Sequence, residues 1–119
     1  MKKFVLGFVS VVLCLALVGC AGASKAPEAT KRLGRMAVKA VDSYLDGDLS
    51  KDELRAKLNG IETELMALDF SDTMDQSRNR IVRSWVGLLG TFTINQDDKT
   101  AEIFETRNKI AKEIGEKNR

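Results

Sequence analysis

Four carboxylates, Asp42, Asp46, Asp48 and Glu53, fall within a twelve-residue stretch around Gly47. Carboxylate oxygens spaced in this way are the ligand type a hard cation such as calcium takes. Three arginines, Arg78, Arg80 and Arg83, lie just before Trp85. A basic cluster beside an aromatic can meet phosphates or lipid headgroups. Carboxylate pairs such as Glu62 with Asp69, or Glu102 with Glu105, have the chemistry for general acid–base work. Against these stands what the chain lacks. It has no histidine, which removes the commonest general base and the commonest transition-metal ligand. No glycine-rich phosphate loop and no nucleophile elbow occurs in it. Nothing sets the carboxylate pairs apart from solvated helix faces. The expectation is therefore a protein that is not an enzyme and holds no cofactor.

Each remaining candidate has a plainer explanation. Residues 42–53 resemble a calcium-binding EF-hand loop: Asp42, Asp46, Gly47, Asp48, Leu49, Ser50 and Glu53 take loop positions 1, 5, 6, 7, 8, 9 and 12. Tyr44 departs from the pattern at position 3, where a carboxylate or amide is expected. Gly47 also suits the left-handed residue that ends a helix. Ser50 and Glu53 read as a capping box, with Leu49 as its hydrophobic staple. A plain turn is the preferred reading, with Asp42, Asp46, Asp48 and Glu53 as a weak metal candidate. The three arginines do not share one helical face, and Trp85 fits an apolar stripe. Solvated arginines over a buried Trp are expected there.

The thiol of Cys20 has a more specific context. Lys2 and Lys3 precede an uncharged run from Phe4 to Val18, which ends in Gly19 and Cys20. This is the layout of an export signal, and the run is short of the roughly 20 apolar residues a membrane-spanning helix needs. Leu17-Val18-Gly19-Cys20 resembles the lipobox of bacterial lipoproteins, a resemblance confined to residues 1–20. It implies cleavage between Gly19 and Cys20, acylation of Cys20, and membrane attachment through that lipid. Ala21 after the cysteine implies the outer membrane in a Gram-negative cell, facing the periplasm. In a Gram-positive cell it implies the cell surface. Cys14 follows bulky Leu13 and is expected to leave with the signal peptide.

Processing changes what composition means. Removing residues 1–19 from 119 leaves 100, one small domain. The net charge of +2 falls to 0 with Lys2 and Lys3 gone, so no electrostatic case for nucleic acid remains. With Cys20 acylated, no disulfide is available, and packing must supply the stability.

The elements that would position these residues are helices. Residues 20–30 read as a lipidated cysteine and a small, polar tether, reaching at most about 35 Å. Residues 31–119 form the domain. A first helix over 28–45 places Leu33, Met36, Ala37, Ala40, Val41, Tyr44 and Leu45 on one stripe. A second over 51–68 carries Leu54, Leu58, Ile61, Leu65 and Leu68 at heptad spacing, with Gly60 suggesting a close approach. A third over 73–91 is nearly apolar all round from Ile81 onward, which predicts the most buried element. Its end is ambiguous between Gly90 and Ile94. A fourth over 98–116 turns Ala101, Ile103, Phe104, Ile110, Ala111 and Ile114 inward. Short connections imply an all-α, antiparallel up-down-up-down four-helix bundle. The alternative is a three-helix core with the fourth helix loosely docked. Residues 25–41 carry a net +4 and residues 42–75 a net −7, so the first two helices are expected to attract each other. The functional expectation is an interaction or structural module of the cell envelope with an envelope protein partner. The alternatives are a small-ligand or weak calcium binder, and an immunity or inhibitor lipoprotein.

Overall fold

The computed structural model describes residues 25–119. The expected signal peptide, its expected cleavage point at Gly19 and Cys20, and the expected acylation of Cys20 lie outside the described residues. Four helices follow in order: α1 (Glu28–Leu45), α2 (Lys51–Ala67), α3 (Thr73–Ile94) and α4 (Thr100–Ile114). Each packs on its neighbours in sequence, α4 returns to α1, and α1 meets α3 across the diagonal. The arrangement is the expected four-helix bundle. Helix α4 is an integral wall, with Ile103, Ile110, Ala111 and Ile114 buried, and the loosely docked alternative is discarded.

The boundaries follow local chemistry. Pro27 sits just ahead of α1, where a missing N–H leaves no helical bond unmade. Ala26 and Thr30 are buried, so packing among the described residues begins at Ala26. At the other end of α1, Gly47 takes φ +86°. Its N–H donates to Tyr44 O at 3.1 Å, and the Asp48 N–H donates to Ser43 O at 2.8 Å. This is the Schellman pattern, which satisfies carbonyls that a helix end would otherwise leave open. Gly115, at φ 80°, closes α4 by the same bonds. Ser50 and Glu53 form the reciprocal capping box at the start of α2. Helix α3 runs on to Ile94, three residues beyond 91. Lys51 Nζ donates to Asn95 O at 3.0 Å and Arg55 Nη1 to Thr93 O at 3.5 Å, so two cations on α2 meet the negative end of α3. Helix α4 starts at Thr100 rather than 98, because the Asp98 carboxylate accepts the Thr100 N–H at 2.9 Å.

Leu54, Leu58, Ile61 and Leu65 of α2 are buried as their heptad requires. Four expectations about burial and packing fail. Met36 of α1, expected on the inward stripe, stands 42% exposed. Helix α3 is not the most buried element: Ile81, Leu88 and Ile94 stand 39%, 41% and 69% exposed, since a helix in a ring of four cannot be covered all round. In α4, Ala101 and Phe104 face outward, and Thr106 and Arg107 are buried instead. Gly60 makes no close approach: a Cβ there would meet nothing within 4 Å. Tight contacts lie instead at Gly34, where a Cβ would stand 2.9 Å from Ile114 Cγ2, and at Gly87 of α3, where it would stand 2.9 Å from Glu62 Oε2 of α2.

Candidate functional site

The 42–53 carboxylates are placed by α1, its closing turn and the α2 cap. Asp42 lies inside the last turns of α1. Both its oxygens are taken by Arg107 of α4, with Nε to Oδ1 at 2.9 Å and Nη2 to Oδ2 at 3.0 Å. Arg119 Nη1 lies 3.3 Å from the same carboxylate and its Nη2 bonds Asp46. Burial works to raise the Asp42 carboxyl, but the hydrogen bonds and charge of Arg107, with Arg119 behind, outweigh it and hold the group below its ordinary value. Glu53 turns back onto Ser50, accepting its N–H at 2.8 Å. That backbone hydrogen bond, with a second one from the Ser50 hydroxyl side, lowers the Glu53 carboxyl too. Asp48 is exposed. The four carboxylates therefore do not converge. Among the described residues no group of three or more His, Cys, Asp or Glu side chains could hold a metal ion. The EF-hand resemblance stops at the sequence, because α1 continues through Tyr44 to Leu45.

Arg107 is the residue that sequence reasoning passed over. Its side chain is 8% exposed. It also donates through Nη1 to Asn108 Oδ1 at 3.0 Å and to Lys117 O at 2.7 Å. The signal was available: position 107 continues the 103, 110, 114 stripe of α4, and a cation on a core stripe requires a buried partner. Ion pairs that cross between elements run from α1 to α4 and the C-terminal tail, as in Arg35–Glu116 at 3.9 Å. None joins α1 to α2 among the described residues, so the expected attraction between those two helices takes no paired form.

Two openings on the surface of the described residues bear on function. Between α1 and α2 runs a groove of about 440 Å³ with Met36, Ala40, Leu49, Ala56 and Ile61 along it. Gly60 leaves it room, and Lys39, Lys57 and Glu64 stand at its edges. Neither lysine has an ion-pair partner among the described residues. A smaller pocket of about 120 Å³ lies between α2 and α3, bounded by Met66, Leu68, Gln76, Asn79, Arg80 and Arg83. Arg80 and Arg83 thus meet at one site, which the sequence had left scattered. Trp85 is half-buried against the core. The carboxylate pairs Glu62 with Asp69, and Glu102 with Glu105, line neither opening. No helix among the described residues is long and apolar enough to cross a membrane. No family model, no curated protein and no solved structure matches the chain.

Proposed function

We propose that this chain is a membrane-anchored bacterial lipoprotein whose helical domain is a non-catalytic interaction module of the cell envelope. The anchor rests on Leu17-Val18-Gly19-Cys20 and the export layout before it. With packing among the described residues starting at Ala26, residues 21–25 reach about 17 Å, so the bundle stays close to the lipid surface. Confinement there raises the local concentration of any envelope partner, so a modest contact suffices.

The observation that carries the interaction reading is the α1–α2 groove. It has an apolar floor, with Lys39, Lys57 and Glu64 at its edges and neither lysine in an ion pair among the described residues. The occupant that fits is an amphipathic helix of a partner protein, apolar toward Met36, Ala40 and Ile61, with carboxylates toward Lys39 and Lys57. A photoreactive residue at Ala56, in the lipidated protein within its native envelope, tests this. One dominant protein adduct, weakened in Cys20→Ala and lost in Gly60→Phe, supports the reading and names the partner. A toxin or hydrolase in that adduct would make it an immunity or inhibitor lipoprotein. Adducts only to lipid or to a second copy would overturn the reading in favour of a self-assembling envelope protein. The groove volume also lies in the range of small-molecule sites. That second reading requires a ligand that raises the melting temperature in wild type but not in Gly60→Phe.

A further inference from the structure

The polar side of the pocket between α2 and α3 is made by Gln76, Asn79, Arg80 and Arg83. Asn79 is committed inside the bundle: its Oδ1 accepts the Thr30 hydroxyl at 2.6 Å, and its Nδ2 donates to Leu65 O at 3.0 Å. Gln76 Oε1 accepts the Phe70 N–H at 3.3 Å. A backbone N–H can only donate, so this bond fixes the amide orientation and leaves Gln76 Nε2 as a free donor. The guanidinium groups of Arg80 and Arg83 make no ion pair or hydrogen bond among the described residues. No carboxylate lines the pocket. Asp69, Asp72 and Asp75 belong to the adjoining turn and the first turn of α3, outside the lining.

Two forked cations and an amide donor with no acceptor of their own specify a ligand rich in anionic oxygen. Met66, 62% exposed, and Leu68 add an apolar wall on one side. The Thr30–Asn79 bond sets the pocket beside the first turn of α1, the end of the bundle from which the chain leads back toward Cys20.

We propose that Arg80, Arg83 and Gln76 form a binding site for a phosphate group. Two sources share that chemistry: a phospholipid headgroup, for which Met66 and Leu68 receive the adjoining apolar part, and a free phosphate. The full chain labelled with nitrogen-15 is titrated with inorganic phosphate, with glycerol phosphate and with micelles of a short-chain phosphatidylglycerol. The arginine Nε–H and glutamine amide signals are followed by NMR. Saturable shifts at Arg80, Arg83 and Gln76 are expected, with affinity falling about tenfold or more in Arg80→Gln and in Arg83→Gln. Both variants change side chains outside the core, and an unchanged melting temperature checks that the fold survives. Saturation by the lipid alone, weakened in Met66→Ser, assigns the headgroup. Equal saturation by inorganic phosphate, indifferent to Met66→Ser, assigns a free phosphate. Shifts that stay linear with every probe, or that persist in Arg80→Gln/Arg83→Gln, overturn the site. The phosphate arm needs no acyl chain, so its failure is read separately from a failure of the anchor.

Discussion

Arg107 holds two distant parts of the chain through one guanidinium, whose Nε, Nη1 and Nη2 together donate four hydrogen bonds. Removing it leaves Asp42 partly buried without its main partner. Arg107→Met is expected to cost about 3 kcal/mol in urea unfolding. Arg107→Lys is expected to recover only part of this, since an ammonium cannot make the paired contact. The same group sets an acid limit. Asp42 has a folded value below its ordinary 3.8, so the unfolded chain binds the proton more readily. Its stabilisation is fully present above the ordinary value and is lost as pH falls through the lower folded one. Asp42→Asn should therefore flatten the decline in melting temperature below about pH 4 relative to wild type. Millimolar calcium should leave the melting temperature unchanged, because Asp42 and Glu53 are already spoken for by Arg107 and Ser50. At this scale the sequence showed each side chain but not its partner. Asp42 and Arg107 stand 65 positions apart, and no local pattern couples them.

At the scale of the element, the chain was far more readable. Gly47, Ser50, Glu53 and Gly115 each end or begin a helix by contacts within six residues, so local chemistry alone locates those boundaries. The heptad of α2 likewise shows its buried face. What escaped were features decided by a neighbour. Gly34 and Gly60 look alike in sequence, each a glycine inside a helix. One is pressed against Ile114 and the other faces open groove. They should respond oppositely to an added side chain in thermal unfolding. Gly60→Ala is expected to stabilise the protein by roughly 0.5–1 kcal/mol through helix propensity. Gly34→Val is expected to destabilise it by about 2 kcal/mol, since α1 and α4 must part or Ile114 must leave its position. The exposed Ile81 and Leu88 escaped for the same reason. Apolar composition says what a helix can bury, while the number of neighbours decides what it does bury.

For the whole molecule, the ring of helices is sealed between its first and last members. The tail beyond Gly115 returns along α1, with Lys117 O receiving Arg107 at 2.7 Å and Arg119 reaching Asp42 and Asp46. Deleting residues 117–119 should lower the melting temperature and speed hydrogen exchange in α1 and α4 more than in α2 and α3. The tail's placement also bears on timing. Asp46 and Arg119 are separated by 73 positions, and closing so long a loop is the slow part of assembling a helical body. The α1–α4 seam, whose contacts span the longest stretch of sequence, is therefore expected to form after the three pairings between helices adjacent in the chain, so a body held open at that seam keeps its local helices without a closed core.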